Sequence, residues 1–196
     1  ERCQATDIMV ICAMPAGSEE LYDIVNDLGV PSYFGDESNV LARYYHAAQD
    51  YELERVIRVT GDCPLIDPVA IKQVHNTFWL GRWDYVANDI YPSYPIGMGV
   101  ECFTFAALEL AHQRATISYD QEHVFPWIRR NKELQGRNIR CEINGISDLR
   151  LTIDTQADLD FVRAVYNECP ADYSLGATLA AVSRINPNAP LIIPYI

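Results

Sequence analysis

Lysine is almost missing from this chain of 196 residues, which holds only Lys72 and Lys132 and carries a formal net charge of -12. So acidic a protein repels a phosphate backbone, which excludes general nucleic-acid binding. It does not exclude a nucleotide, because a few carboxylates can hold a divalent cation against phosphates. No apolar run approaches a membrane span. The six cysteines are scattered without a C-x-x-C pair, which argues against a structural zinc site. Most lie in apolar stretches and read as reduced thiols of a cytoplasmic protein, and the opening Glu1-Arg2-Cys3-Gln4 carries no secretory signal. Neither G-x-G-x-x-G nor G-x-x-x-x-G-K-[ST] occurs, and Gly97-Met98-Gly99 does not sit between a strand and a helix. No Ser-His-Asp or Cys-His spacing supports nucleophilic catalysis.

What is present is a globular composition, 49% hydrophobic and 21% charged, of a length that suits one domain. The apolar run at 8–13 predicts a strand buried on both faces. Ser18 then caps a helix whose stripe is Leu21, Ile24, Val25 and Leu28, ended by Gly29. Strands follow at 30–34, 55–60 and 83–87, alternating with helices at 39–51 and 68–80. This alternation implies parallel pairing with helices on both faces of a sheet. Residues 89–99, rich in Pro, Gly and Tyr, read as an excursion. Beyond it the pattern predicts strands at 100–105, 139–143 and 149–153. Helices are predicted at 106–115, 120–130 with a kink at Pro126, 157–168 and 175–184. No repeat or linker divides the chain.

Two strand ends carry carboxylates. In Val59-Thr60-Gly61-Asp62, the aspartate follows an apolar strand and a glycine that permits close approach. Asp62 reads equally as a Mg²⁺ ligand and as a turn-former. Asp67, five residues on, is explained as the N-cap of a helix that opens with Pro68. In LRLTIDTQAD, Thr155 and Asp158 form a capping box, which leaves Asp154 at the strand end without a structural duty. Asp62 and Asp154 together can converge on one Mg²⁺. His46, His75 and His112 fit helix positions, while His123 suits either substrate contact or anchoring. Tyr91, Tyr94, Tyr119 and Trp127 suit a sugar site, a dimer contact or ordinary packing.

The blocks VIRVTGDCPLIDP (56–68), FGDESNVLARYYHAA (34–48), YVANDIYPSYPIGMGVECF (85–103), QEHVFPWIRRN (121–131) and LRLTIDTQADLDFVRAVY (149–166) resemble the cytidylyltransferase family. The resemblance is narrower to the branch named after the spore coat polysaccharide biosynthesis protein F. The wider family includes CMP-Kdo and CMP-sialic acid synthetases. The resemblance implies a glycosyltransferase-A-like, Rossmann-like three-layer α/β/α sandwich with a mostly parallel central sheet. It implies Mg²⁺-dependent transfer of a nucleotidyl group, a cytidylyl group from CTP, to an acidic or modified sugar with release of pyrophosphate, serving surface polysaccharide biosynthesis. Asp62 and Asp154 match the family's metal-binding aspartates. Arg43 falls in a block that helps form the nucleotide pocket, and Asn88, Tyr94, Glu101 and His123 fall in blocks on the sugar side. Residues 89–105 would form the excursion through which such enzymes dimerise.

Two departures accompany the resemblance. The family opens with a strand and a loop of the type QARxGSxRLPGK that holds the triphosphate, whereas Glu1-Arg2 matches the end of the helix after that loop. The expectation is a single domain over 1–196 that is N-terminally truncated. Ile96 and Gly99 stand where many relatives carry acidic residues. Two alternatives stay open: a non-catalytic fragment or degenerate relative that binds a sugar or a partner, and a glycosyltransferase using a ready-made nucleotide sugar. The latter usually wants a D-x-D pair at a metal, and Asp158-Leu159-Asp160 lies in a helix pattern.

Overall fold

The computed structural model describes residues 9–169 and 173–187. Its core is a four-stranded sheet in the order β3-β5-β4-β6, built from β3 (Arg55–Arg58), β4 (Tyr85–Ala87), β5 (Glu101–Thr104) and β6 (Gly136–Asn138). Strands β3, β4 and β6 run one way, and β5 runs against them, antiparallel to both of its neighbours. The reversal has a local cause. Residues 88–100 between β4 and β5 contain no helix, and a parallel return needs a crossover of a dozen or more residues, usually helical. The excursion turns the chain back on itself instead.

A second, two-stranded parallel sheet joins β1 (Cys12–Pro15) to β2 (Ser32–Gly35) across the helix α1 (Glu19–Asp27). No ladder ties β1 to β3 among the described residues. An apolar cavity of about 460 Å³ lies between them, lined by Val10, Ile11 and Ala13 on one side and by Val56, Ile57 and Val59 on the other. This corrects the reading of 8–13 as a strand covered on both faces. The strand begins at Cys12, and Met9 and Val10 are more than half exposed. The stripe of α1 is likewise open: only Val25 is buried, while Leu21, Ile24 and Leu28 are exposed.

Period-two alternation distributes the sheet residues to two faces. Val56, Tyr85, Ala87 and Phe103 pack with Leu41 and Ala48 of α2 (Val40–Asp50) and with Ala107, Leu108 and Ala111 of α4 (Phe105–Arg114). Val86 and Cys102, one residue out of phase, meet Val74 and Phe78 of α3 (Pro68–Leu80) on the opposite face. Helices on both faces give the three-layer α/β/α arrangement. A third core joins α7 (Gln156–Glu168) and α8 (Leu175–Ile185) through Val162, Val165, Leu179 and Val182 to Leu65, Met98 and Leu151.

Helix starts follow their caps. Asn39, Asp67, Thr104 and Ser174 each accept a backbone N–H with the side chain, and Thr155 and Asp158 complete the reciprocal capping box. Ser18 precedes α1 without a side-chain cap bond. The segment expected as one kinked helix is two, α5 (Ser118–His123) and α6 (Phe125–Arg130). The break is at Val124, whose φ of 66° stops α5, and Pro126 sits in the first turn of α6, where it lacks no needed N–H. Residues 139–143 and 149–153 are not strands. Only a single parallel bridge pairs Ile96 with Arg150, since Ile96 N–H donates to the Leu149 carbonyl and Leu151 N–H to that of Ile96. Five cysteines, at 12, 63, 102, 141 and 169, are free thiols, and Cys3 lies outside the described residues.

Candidate active site

The carboxyl ends of β3 and β4 open into a cavity of about 320 Å³, the place where open α/β sheets hold ligands. Asp62, Asn88, Tyr94 and Glu101 all line it, together with Arg58, Asp89 and Thr152. Alternation explains part of this grouping. Arg58 shares a face with Val56, Asp89 follows Ala87 by two, and Glu101 is the direct cross-strand partner of Arg58. All three therefore meet on one side of the sheet end.

Arg58 Nη1 donates to Glu101 Oε2 at 2.7 Å, and both side chains are about nine-tenths buried. Arg58 also stands 5.7 Å from the Tyr44 ring centroid, and its Nε is buried without a partner. Burial pushes the Glu101 carboxyl up to about 7, with the Arg58 charge pulling the other way. Desolvation by the surrounding protein also raises the pKa of Asp89, against the opposing effects of a hydrogen bond from its own backbone N–H, of Arg129 and of Arg58. Asp89 keeps its access to solvent at the cavity mouth. It lies against Gly99, so that a Cβ at that glycine would stand 3.1 Å from Asp89 Oδ2. The acidic group in this corner is thus Asp89, reached from β4, rather than a side chain at 96 or 99.

Asn88 is fully buried, and its amide is committed to the backbone. It donates to the Met98 carbonyl at 2.9 Å and accepts from Val100 N–H at 2.7 Å. It clamps the two ends of the excursion, which makes its duty one of positioning. Tyr94 donates its hydroxyl to Gln73 Oε1 at 3.0 Å, and burial raises its pKa to about 12.

The loops of Asp62 and Asp154 meet through the backbone, where Ile153 N–H donates to the Asp62 carbonyl at 2.9 Å. The Asp62 carboxylate faces the cavity and, among the described residues, receives only the Cys63 thiol at 3.5 Å. Asp154 does not line the cavity. Its carboxylate pairs with Arg150 and accepts from Thr152 Oγ1 at 3.0 Å. Among the described residues no three His, Cys, Asp or Glu side chains stand close enough to cage a metal. Mg²⁺ does not require such a cage. It is usually held by one or two carboxylates with phosphate and water oxygens; Asp62 presents one such hard-oxygen donor to the cavity, while Asp154 on the adjoining loop has its carboxylate turned to Arg150.

Two expected site residues stand elsewhere. Arg43 on α2 donates to the Asp36 carbonyl at 2.7 Å and packs its stem over Gly35. His123 is exposed at the end of α5, edge-on to Tyr119 at 4.4 Å. Neither lines the cavity. Sequence reasoning missed Arg58 and Asp89. An arginine inside the apolar run VIRVT was the signal for the first. The second had only its position after Asn88.

Comparison with known proteins gives four relationships. A family model described as cytidylyltransferase matches residues 12–177. An uncharacterized protein of Methanocaldococcus jannaschii is 30% identical over 168 residues, covering 80% of this chain and 68% of its own. The spore coat polysaccharide biosynthesis protein SpsF of Bacillus subtilis is 27% identical over 168 residues, 82% of this chain and 68% of its own. Among solved structures, a cytidylyltransferase from Leptospira borgpetersenii superposes with a TM-score of 0.77 at 26% identity, covering 91% of this chain and 76% of that one.

Proposed function

The chain belongs to the cytidylyltransferase family, and from that premise we propose that it transfers a cytidylyl group from CTP to a sugar, releasing pyrophosphate. The observation that carries this reading is the strand-end cavity with Asp62 on its wall and the Asp154 loop bonded to the Asp62 backbone. Nucleotidyl transfer is the general chemistry of the family. CTP, the sugar, Mg²⁺ and the role in surface polysaccharide are the finer part of the proposal.

The acceptor oxygen attacks the α-phosphorus in line, so the protein's task is positioning and charge control. Asp62 and Asp154 are the residues that would hold Mg²⁺, which when bound neutralises phosphate charge and orients the attack. Glu101, kept in place by Arg58, accepts a hydrogen bond from the sugar. Tyr94 and Asn88 shape the sugar side. A homodimer through 89–105 remains part of this proposal. There Tyr91 and Ile96 are the large apolar side chains exposed among the described residues, and sedimentation of the chain tests it.

Pyrophosphate release from CTP, Mg²⁺ and a panel of sugars is the assay. The double variant Asp62→Ala, Asp154→Ala is expected to lose roughly a hundredfold or more in rate. Full activity in that variant overturns the metal assignment. Calorimetry with CTP and Mg²⁺ separates this reading from a protein that binds a sugar or partner without chemistry, which would show no nucleotide binding.

A further inference from the structure

His46 and His112 fit helix positions in the sequence and take no part in the strand-end cavity. The fold brings them together. His46 on α2 and His112 in the last turn of α4 have ring centroids 5.4 Å apart, with their planes at 72°. Tyr45 fixes the arrangement. Its ring stacks on His112 at 4.2 Å and on Phe105 at 5.6 Å, and it meets His46 edge-on at 5.1 Å. His112 is therefore held half-buried in a stack, while His46 is exposed and free to turn among its rotamers. Among the described residues neither imidazole makes a hydrogen bond, whereas that of His75 is engaged by Asn76.

We propose that His46 and His112 are the two protein ligands of a zinc-class divalent cation that bridges α2 to α4. Two imidazoles sharing a tetrahedral ion at about 2.0–2.1 Å hold their ring centres about 5 Å apart, and the 5.4 Å found here matches that span. Imidazole suits zinc, copper and nickel, whereas magnesium takes oxygen ligands. The seam between the helices therefore selects a different metal from the Asp62 loop. Burial and the neighbouring His46 lower the pKa of His112 below its ordinary value, which keeps the ring neutral, as a ligand must be. The local field favours a cation. His112 stands where α4 ends, at the negative end of the helix dipole. Asp50 and Glu109 lie one turn from His46 and His112 on the same helix faces. Two side chains form no cage, so water completes the coordination and the affinity falls well below that of a four-ligand structural site. The ion ties together two helices whose apolar faces already share one core.

The test uses the full chain, freed of metal with a chelator and kept in excess Mg²⁺ so that the Asp62 loop is not the site measured. Zn²⁺ is titrated in by calorimetry and by NMR of the histidine rings. One zinc per chain is expected, with the resonances of His46 and His112 moving and those of His75 and His123 staying in place. His46→Ala and His112→Gln should each weaken binding at least about tenfold, since loss of a partner that only orients a ligand already costs that much. Zinc should raise the thermal midpoint of the wild type and not that of His46→Ala, whose exposed side chain the core does not need. Zinc binding unchanged in a folded His46→Ala, which places the ion at the thiols or carboxylates, overturns the proposal. So do ring shifts at His75 or His123 in place of these two, or the absence of saturable zinc binding.

Discussion

Neutralising Glu101 should make the protein less sensitive to alkali. Its carboxyl is raised from the ordinary 4.5 to about 7 because burial outweighs the attraction of Arg58. A raised acid binds more protons folded than unfolded between those two values. Its contribution is therefore fully present below the unfolded value and is lost as pH rises through the folded one. The whole shift is worth about 3 kcal/mol, of which about 2–3 kcal/mol falls between about pH 5 and about pH 8. Glu101→Gln removes this titration. It also removes the charge partner of Arg58, but that attraction acts only where Glu101 is ionised and is already contained in the Glu101 shift, and Arg58 itself does not titrate in that window. Urea unfolding at several pH values, extrapolated linearly to water, measures both proteins. The wild type should lose about 2–3 kcal/mol more than the variant between the two ends. Parallel pH profiles would refute the claim that Glu101 is held protonated by burial.

Asn88→Ala should cost about 2–4 kcal/mol in the same unfolding assay, since it strands the Met98 carbonyl and the Val100 N–H in a buried place. Asp67→Ala should cost about 1 kcal/mol through the loss of its cap on Val69 N–H, with nucleotide binding unchanged by calorimetry. Leu108→Ala, at a fully buried position between α4 and the sheet, should cost about 2–5 kcal/mol in thermal or urea unfolding. Arg150→Ala should tighten Mg²⁺ binding by about fivefold in calorimetry. It frees Asp154 from an exposed ion pair that contributes at most about 1 kcal/mol and removes a cation beside the proposed metal.

Legibility in the sequence varied with the range of the forces involved. Helix starts were readable because a cap is a local contract between a side chain and the next turn. Asp67 with Pro68, and Thr155 with Asp158, could be assigned from spacing alone and are found so. Asp62 was readable as a strand-end residue for the same reason. The strands at 139–143 and 149–153 were misread because apolar residues there serve the α7–α8 core rather than a ladder. The helix stripe of α1 was read correctly as a pattern, yet the structure leaves three of its four members exposed. Amphipathic spacing says that a face is apolar and not what covers it. The break at Val124 escaped notice because proline, not a positive φ, is what a sequence displays.

Periodicity and capping by themselves determined an α/β chain with helices on both faces of a sheet, and they marked Asp62 as a carboxylate past a strand end; Asp154 was read the same way, but it follows a loop and not a strand. These follow from interactions between residues a few positions apart. Tertiary structure alone decided that β5 runs against its neighbours and that Arg58, Asp89 and Glu101 share one sheet face. It also decided that Asp154 is bound by Arg150 while Asp62 faces the cavity. The meeting of Arg58 with Glu101 depends on register between strands more than forty residues apart in sequence. A one-residue change of register moves a side chain to the other face, and no local pattern encodes it.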